Sequence, residues 1–278
     1  MKGSNHPVLA FIGAGNMAQA IIGGLLAQGY PADRIWGTGR DQTRLEDLRQ
    51  RLGIRVSTDN NEAAAAAEVL ILAVKPQMMQ AVARSLVEVV QRSRPLVISV
   101  AAGISATSLE GWLGGEVALV RCMPNTPSLV QTGASGLYAN AQVTALQRIQ
   151  AEQMLASVGL ALWVDSEGLI DAVIAVSGSG PAYYFMLMEA MIAAGEAQGL
   201  SRDVSTRLTL QTALGAAKMA LASDVEPAEL RRRVTSPKGT TEQALLRFQQ
   251  GGFTELVAEA MTASADRGRA MAAELGDA

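Results

Sequence analysis

The sequence predicts an α/β fold in which a doubly wound sheet is followed by an all-helical domain. In the first half of the 278 residues, short apolar runs alternate with segments of 3.6-residue periodicity, a pattern typical of a parallel sheet covered on both faces. After Asp165 the strand signals stop and only helical segments remain. We therefore predict two domains, residues 1–164 and residues 165–278, with the boundary after Val164.

The first domain contains the predicted strands, and most of them are apolar almost throughout, as buried parallel strands are. They are Val8–Ile12, Arg34–Thr38, Val69–Val74, Leu96–Val100, Val117–Met123 and the weaker runs Ser135–Ala139 and Leu160–Val164. The helices predicted between them are Asn16–Gln28, Thr43–Leu52, Asn61–Glu68, Gln77–Arg92 and Thr144–Ser157. Right-handed crossovers through these helices give the doubly wound arrangement.

The second domain is predicted to be helical, with turn residues such as Gly199 between the helices. Its predicted helices are Leu169–Ala175, Ala182–Gln198, Asp203–Ala222, Pro227–Val234, Thr241–Gln250 and Glu255–Ala273. The segment Pro181–Met188 is apolar on every side, which requires burial all round. Packing against a second copy is the simplest explanation, so we expect a homodimer or a larger assembly.

The composition excludes several classes of function. Hydrophobic residues make up 49% and the net charge is −3, so neither disorder nor nucleic acid nor an anionic membrane is expected. Because His6 and Cys122 are the one histidine and the one cysteine, neither an intrachain disulfide nor a Cys/His metal cluster can form. No signal peptide and no apolar run of the ~18 residues that span a membrane is visible, and we expect a cytoplasmic protein.

The most informative motif of the first domain follows the first strand and opens the first helix. It reads Gly13-Ala14-Gly15-Asn16-Met17-Ala18 and fits the Rossmann-type pattern G-x-G-x-x-A. Gly13 permits a tight turn, Gly15 lets the backbone approach a pyrophosphate, and the N–H groups at the helix start bind phosphate. Glycines also mark ordinary strand-to-helix turns, but this position in a doubly wound pattern favours dinucleotide binding.

The end of the second predicted strand indicates which dinucleotide binds. In NAD enzymes an acidic residue here contacts the ribose, whereas this chain has Arg40, whose guanidinium suits a 2′-phosphate. Thr38 adds a hydroxyl group. Asp41 keeps the alternative open, since a shift of one residue would place a carboxylate there. NADP is favoured, and NAD stays possible.

Further strand ends are predicted to complete a cleft at the carboxyl edge of the sheet. One strand ends in Ala73-Val74-Lys75-Pro76, the next in Ala101-Ala102-Gly103, and a third in Pro124-Asn125-Thr126-Pro127. The small side chain of Ala101 leaves room for a nicotinamide ring. Cys122, inside an apolar strand, is most simply a buried and unreactive thiol.

In the second domain, Thr235–Thr241 leads into a helix. One interpretation is a capped helix start, in which Thr240 and Gln243 form a capping box. The other is an anion site, because hydroxyl and N–H groups at a positive helix end would hold a carboxylate, with Lys238 adding charge. The segment Ser177–Pro181 likewise starts a buried helix with small residues near the cleft.

Together these segments resemble the sequence blocks of the pyrroline-5-carboxylate reductase family. The blocks are Phe11–Met17, Ala73–Pro76, Ser99–Gly103, Arg121–Pro127, Ser177–Tyr183 and Thr235–Thr241, in the family's order. The resemblance implies NAD(P)H-dependent reduction of pyrroline-5-carboxylate to L-proline, the last step of proline biosynthesis. It also implies a dimer of intertwined helical domains, often assembled further into decamers.

The resemblance also implies roles for individual residues. Thr241 matches the hydroxyl on the ring nitrogen, and Glu167 matches an acidic residue near the substrate that would favour the iminium charge. Asn60 matches an asparagine near the adenosine part of the cofactor, and Lys238 departs from the family, many of whose members have a second glycine there. The residues matching those that hold the carboxylate are Ser236, Gly239 and Thr240.

Two alternatives to an imine reductase are open at this point. The 3-hydroxyacid dehydrogenases share this outline but use a lysine on the helix after a glycine motif, whereas Pro181–Glu189 contains no lysine. A non-catalytic NADP-sensing protein with a degenerate site is disfavoured by Thr241 and by the intact segment Thr235–Thr241, the anion loop. An imine reductase also suits a chain without a usable histidine, because an imine arrives largely protonated and needs no strong general acid.

Overall fold

The computed structural model describes residues 6–276, whose strands form one eight-stranded sheet. Its strand order is β3-β2-β1-β4-β5-β6-β7-β8. The strands are β1 (Leu9–Ile12), β2 (Ile35–Thr38), β3 (Arg55–Ser57), β4 (Val69–Leu72), β5 (Leu96–Ser99), β6 (Leu119–Met123), β7 (Gly133–Ala139) and β8 (Gly159–Trp163). β1 lies between β2 and β4, so successive strands extend the sheet to one side as far as β3 and to the other side from β4 onward. Doubly wound folds bind their ligands at this reversal of strand order.

Most of the sheet is parallel, as predicted, and its far edge is not. The strands from β3 to β6 pair in parallel, whereas β7 pairs antiparallel to β6 and parallel to β8. On β1, Leu9 and Phe11 pack into one core layer while Ala10 and Ile12 pack into the other. Both faces of the strand are therefore covered, which explains why its sequence is apolar throughout rather than alternating.

Most helices of the sheet region are slightly shorter than predicted, whereas α2 is one residue longer. They are α1 (Asn16–Ala27), α2 (Gln42–Leu52), α3 (Asn60–Ala66), α4 (Pro76–Ser85), α5 (Val87–Ser93), α6 (Ala106–Trp112), α7 (Ala145–Ala156) and α8 (Leu169–Val173). The helix predicted at Gln77–Arg92 is interrupted at the buried Leu86, and β3 and α6 were not predicted. Both missed elements are too short for a periodic signal.

The remaining helices are α9 (Gly180–Ala197), α10 (Arg202–Leu221), α11 (Pro227–Arg233), α12 (Thr240–Gln250) and α13 (Phe253–Gly276). By internal contacts the chain forms two compact units: a sheet unit, which runs to Ser179 and resumes at Ser264, and a helical unit, Gly180–Ala263. This division does not coincide with the predicted boundary after Val164. Residues up to Ser179 pack on the sheet, since a Cβ on Gly136 of β7 would lie 2.5 Å from Val173 of α8.

No helix in the described part of the chain is long and apolar enough to cross a membrane. The interior of the sheet unit includes Cys122, and burial raises the pKa of its thiol to about 12. A thiol with such a pKa is protonated at neutral pH and unreactive, in agreement with the buried thiol predicted there.

Within the helical unit, α9 and α10 pack against each other as a hairpin, and Ser205 donates a hydrogen bond to the carbonyl of Ile192 at 2.9 Å. The larger apolar side chains of this unit face outward instead: Tyr184 is 66% exposed, Phe185 57% and Met186 74%. Neither α11 nor α12 has a buried residue. A unit of this kind has its apolar surface available to another chain.

Candidate functional site

The glycine loop after β1 has the geometry that the motif predicts. Gly13 has a φ of +95°, and a Cβ there would lie 2.8 Å from Val74 Cγ1 and 3.1 Å from the Ala73 carbonyl. The Gly13 N–H donates to Thr38 Oγ1 at 3.2 Å, and the Ala14 N–H donates to the Thr38 carbonyl at 2.7 Å. Only glycine fits this turn, both for its backbone angle and for the space beside it.

The start of α1 is open to a ligand. Gly15 is the N-cap residue, no side chain caps the helix, and its first turn has no acidic residue. A Cβ on Gly15 would meet nothing within 4 Å, so the backbone there faces free space. Uncapped N–H groups at a positive helix end are suited to a phosphate group.

A cavity of about 700 Å³ lies beside this helix start, in the size range of small-molecule sites. It brings together most of the predicted cofactor residues: Gly13, Ala14, Gly15, Asn16, Thr38, Arg40, Asn60, Ala73, Val74 and Lys75. Two predicted residues, Met17 and Ala101, are not among the residues that line it; both are half-buried and pack against the two core layers. The glycine cradle and the uncapped helix end fit a dinucleotide pyrophosphate.

Thr38 is buried, and its hydroxyl is already engaged. It donates to Asn60 Oδ1 at 2.7 Å and accepts the hydrogen bond from Gly13 N–H. The hydroxyl thus links β2 and the start of α3 to the glycine loop. Thr38 and Asn60 hold the loop in place, which differs from the direct phosphate contact that we expected of Thr38.

The neighbouring Asp41 is the N-cap residue of α2, and its carboxylate accepts from the N–H groups of Thr43 at 3.0 Å and Arg44 at 3.1 Å. The carboxylate is engaged by the backbone, as N-cap side chains are. Arg40 and Arg44 are exposed and line the cavity, and neither forms an ion pair with a described residue. From the sequence we predicted Arg40 and missed Arg44. The position of Arg44 in the first turn of the helix that Asp41 caps would have indicated it.

Glu167 lies in a buried charge pair. Its Oε1 accepts from Arg121 Nη1 at 2.5 Å and from the N–H of Ala106, the first residue of α6, at 2.6 Å. The Arg121 side chain is 7% exposed and that of Glu167 25%. Burial raises the pKa of the neighbouring Asp171, against the opposing effects of Arg121 and Arg269. Arg121 therefore offsets the negative charge that was expected to favour an iminium ion.

The anion loop precedes α12 in the helical unit. The helix begins at Thr240 with Gly239 as N-cap and no side-chain cap, so the predicted capping box of Thr240 and Gln243 is wrong. Glu242 Oε2 instead accepts the N–H of Lys238 at 2.8 Å, one residue before the N-cap. Because no side chain caps the helix, the hydroxyl groups of Thr240 and Thr241 are not used for capping, and both residues are exposed.

Lys238 has a φ of +60°, in the left-handed region that favours glycine. The glycine that the resemblance led us to expect here would adopt this conformation without strain. In this turn the Gly239 N–H donates to the Ser236 carbonyl at 3.0 Å, and α12 begins at the next residue. A lysine is accommodated in the turn at a cost in backbone strain.

Comparison with known proteins agrees with this fold. A family model described as pyrroline-5-carboxylate reductase dimerisation matches residues 167–271, and one described as NADP oxidoreductase, coenzyme F420-dependent, matches residues 8–103. The pyrroline-5-carboxylate reductase of Pseudomonas aeruginosa is 56% identical over 97% of this chain and 98% of its own.

Two solved structures are also similar. The reductase of Coxiella burnetii has a TM-score of 0.93 and 43% identity, covering 96% of this chain and 99% of its own. That of Plasmodium falciparum, solved with NADP bound, has a TM-score of 0.86 and 28% identity, covering 97% of this chain and 100% of its own.

Fold and site therefore define an oxidoreductase of the NADP-linked, Rossmann-type class with a helical dimerisation domain. Within that class, the chain belongs to the pyrroline-5-carboxylate reductase family. The predicted family, fold class and cofactor class are thus confirmed, and the predicted reaction, the last step of proline biosynthesis, is the one that its relatives carry out. The 3-hydroxyacid dehydrogenase alternative has no support among these relatives.

Proposed function

We propose that this chain reduces 1-pyrroline-5-carboxylate to L-proline with NADPH, and that Ser236–Thr241 binds the imine substrate. The observation that carries the proposal is a pair of uncapped helix starts, one at α1 beside the nucleotide cavity and one at α12 behind the anion loop. Each leaves N–H groups for an anion, the first for a pyrophosphate and the second for a carboxylate.

When bound, the nucleotide supplies the hydride to the imine carbon, and the protein supplies position and electrostatics. Thr241 Oγ bonds the ring nitrogen, and the Thr240 N–H with the Ser236 hydroxyl holds the carboxylate. Gly239 contributes as the N-cap residue and not as a donor, because its own N–H is bonded to the Ser236 carbonyl. Because the imine arrives protonated, Thr241 needs only to orient or relay one proton. Glu167 acts at a distance in this scheme, by holding Arg121 and the start of α6.

A substrate comparison tests the proposal. NADPH oxidation is followed with the five-membered imine, the six-membered imine and a 3-keto acid under the same conditions. We expect the highest kcat/KM with the five-membered imine. Absence of turnover with it would overturn the proposal and leave a nucleotide-sensing protein, while preference for the keto acid would favour a hydroxyacid dehydrogenase.

For the cofactor, we propose that Arg40 and Arg44 bind the 2′-phosphate and make NADPH the preferred reductant. Both guanidinium groups line the cavity, while the nearest carboxylate, Asp41, is engaged by the backbone. Removing one charged contact should raise the KM for NADPH about 10- to 100-fold and leave that for NADH unchanged, because such a bond contributes about 1.5–3 kcal/mol. Arg84→Ala, an exposed arginine outside the cavity, is the control for Arg40→Ala and Arg44→Ala.

We also propose that the working form, in the cytoplasm, is a homodimer or a decamer built from such dimers. The match to a dimerisation model and the outward apolar side chains of the helical unit support the dimer. The single cysteine supports a reducing compartment. Light scattering at several protein concentrations distinguishes a monomer, a dimer and a decamer.

A further inference from the structure

The chain between α8 and α9 departs from a regular α-helix. Ile174–Gly178 forms a π-turn in which the Ser179 N–H donates to the Ile174 carbonyl at 2.8 Å. In a regular helix the Ser177 carbonyl would accept from the residue four positions on, but that residue is Pro181, which has no N–H. Ser177 therefore needs a donor from elsewhere, and π-turns are frequent at functional sites.

Asn125 supplies that donor. Its Nδ2 donates to the Ser177 carbonyl at 3.0 Å, and its Oδ1 accepts the N–H of Ala134 at 2.9 Å. The Asn125 side chain is buried, with 8% of the residue exposed. One amide thus joins the π-turn to the start of β7, and a buried polar group with both ends satisfied holds its partners rigidly.

The turn lies at the edge of the sheet where ligands bind. Because β1, β4, β5 and β6 are parallel, their carboxyl ends share one edge, and the first two carry the glycine loop and Ala73–Lys75. Asn125 follows the end of β6 by two residues. A Cβ on Gly178 would lie 2.6 Å from Met123 Cε, so the turn packs directly on the last residue of that strand.

We infer that Asn125 is a positioning residue for the reduction, acting through the Ser177–Ser179 turn; this rests on the proposed function. By holding the Ser177 carbonyl, it keeps the small residues of the turn at one place beside the carboxyl end of β6. In doubly wound folds this edge receives the reacting end of the dinucleotide. A wall displaced there by about 1 Å can lower the rate about 100-fold through misalignment.

Asn125→Asp tests the inference, because it keeps the acceptor for Ala134 and replaces the donor to Ser177 with an oxygen. Asn140→Asp is a matched control at the opposite end of β6, where Asn140 donates to the Val117 carbonyl at 2.9 Å and accepts from Leu119 N–H at 3.0 Å. We expect Asn125→Asp to lower kcat/KM for the imine about 10- to 100-fold. The Kd for NADPH, measured by fluorescence titration, should stay within about threefold in both variants, and Asn140→Asp should keep its kcat/KM.

A pH series tests whether the lost donor to the Ser177 carbonyl causes the deficit. A protonated aspartic acid presents a donor on one oxygen and an acceptor on the other, as the asparagine amide does with its nitrogen and its oxygen, so the deficit of Asn125→Asp relative to the parent should shrink as the pH falls. The inference is overturned if the two variants have equal kcat/KM, or if NADPH affinity falls in parallel. If Asn125→Asp does not melt cooperatively, Asn125→Ala is measured in the same way.

The parent protein separates the two hypotheses. An inactive parent would refute the proposed function. An active parent together with an equally active Asn125 variant would refute the positioning role alone.

Discussion

The sheet unit and the helical unit bury their apolar residues in different ways. In the sheet unit, strands such as β1 and β4 are buried along their whole length between two helical layers. In the helical unit, none of the buried apolar side chains of the described chain is found between Gly180 and Ala263. The sheet unit therefore carries its own core, whereas the helical unit depends on another chain to bury its apolar surface.

The difference also separates the nucleotide cavity from the loop that we propose binds the substrate. The nucleotide cavity is built entirely from the self-contained unit, by the loops that follow β1, β2 and β4. The anion loop belongs to the unit whose helices α11 and α12 have no buried residue. We expect nucleotide binding to survive changes that abolish assembly, and catalysis to be more sensitive to them.

The largest effect is expected from removing the hydroxyl proposed to contact the substrate. Thr241→Ala should lower kcat/KM about 10²–10⁴-fold if the hydroxyl takes part in proton transfer, with NADPH affinity unchanged. Thr241→Ser should recover most of the activity. Thr262→Ala, whose hydroxyl donates to the Ala258 carbonyl within α13, is the control. Unchanged kcat/KM in Thr241→Ala would remove Thr241 from the mechanism.

The next effect concerns the apolar face of the helical unit. Met186→Asp places a charge on a side chain that is 74% exposed, and it should weaken assembly by about 2 kcal/mol or more if this face is the interface. The matched change in the sheet unit is Leu146→Asp on α7, where the residue is 65% exposed. Light scattering should show a smaller particle only for Met186→Asp. An equal effect of both changes would contradict the contrast between the units.

Within the sheet unit, the buried pair of Arg121 and Glu167 should matter far more than a surface pair. Glu167→Ala leaves the Arg121 charge buried without its partner, and we expect a loss of about 3 kcal/mol in the free energy of unfolding. Glu88→Ala removes an exposed partner of Arg92 and should cost less than about 1 kcal/mol. Denaturant melts of both variants give the comparison, and similar values would show that Glu167 holds nothing in place.

The smallest effect is a gain at the strained turn before α12. Lys238→Gly removes the strain of a left-handed backbone, which costs about 1–2 kcal/mol for a residue with a Cβ. Glycine also makes the unfolded chain more flexible, which destabilises the fold by roughly 0.5–1 kcal/mol. The free energy of unfolding should therefore rise by about 0.5–1 kcal/mol. Lys238→Ala keeps the strain and should leave the melting temperature nearly unchanged. A gain in the alanine variant as large as that in glycine would mean that side-chain charge, not backbone strain, limits this turn.

Local signals predicted most of the sheet unit. Periodicity located the main strands and helices, the glycine motif located the cavity, and the apolar segment at Pro181–Met188 indicated that a second copy is needed. Short elements such as β3 and α6 were missed because three to seven residues are too few for periodicity. The capping box at Thr240 failed because Gly239 is the N-cap residue, so Thr240 already lies inside the helix and not at its cap position.

By itself the sequence determined the fold class, the family, the glycine loop and the loop before α12, because each depends on residues that are adjacent in the chain. Only the tertiary structure decided that Arg121 offsets Glu167, that Thr38 holds Asn60, and that Asn125 bonds Ser177. These partners lie 46, 22 and 52 residues apart. A hydrogen bond depends on distance and direction in space, so no local pattern can specify which distant side chain completes it.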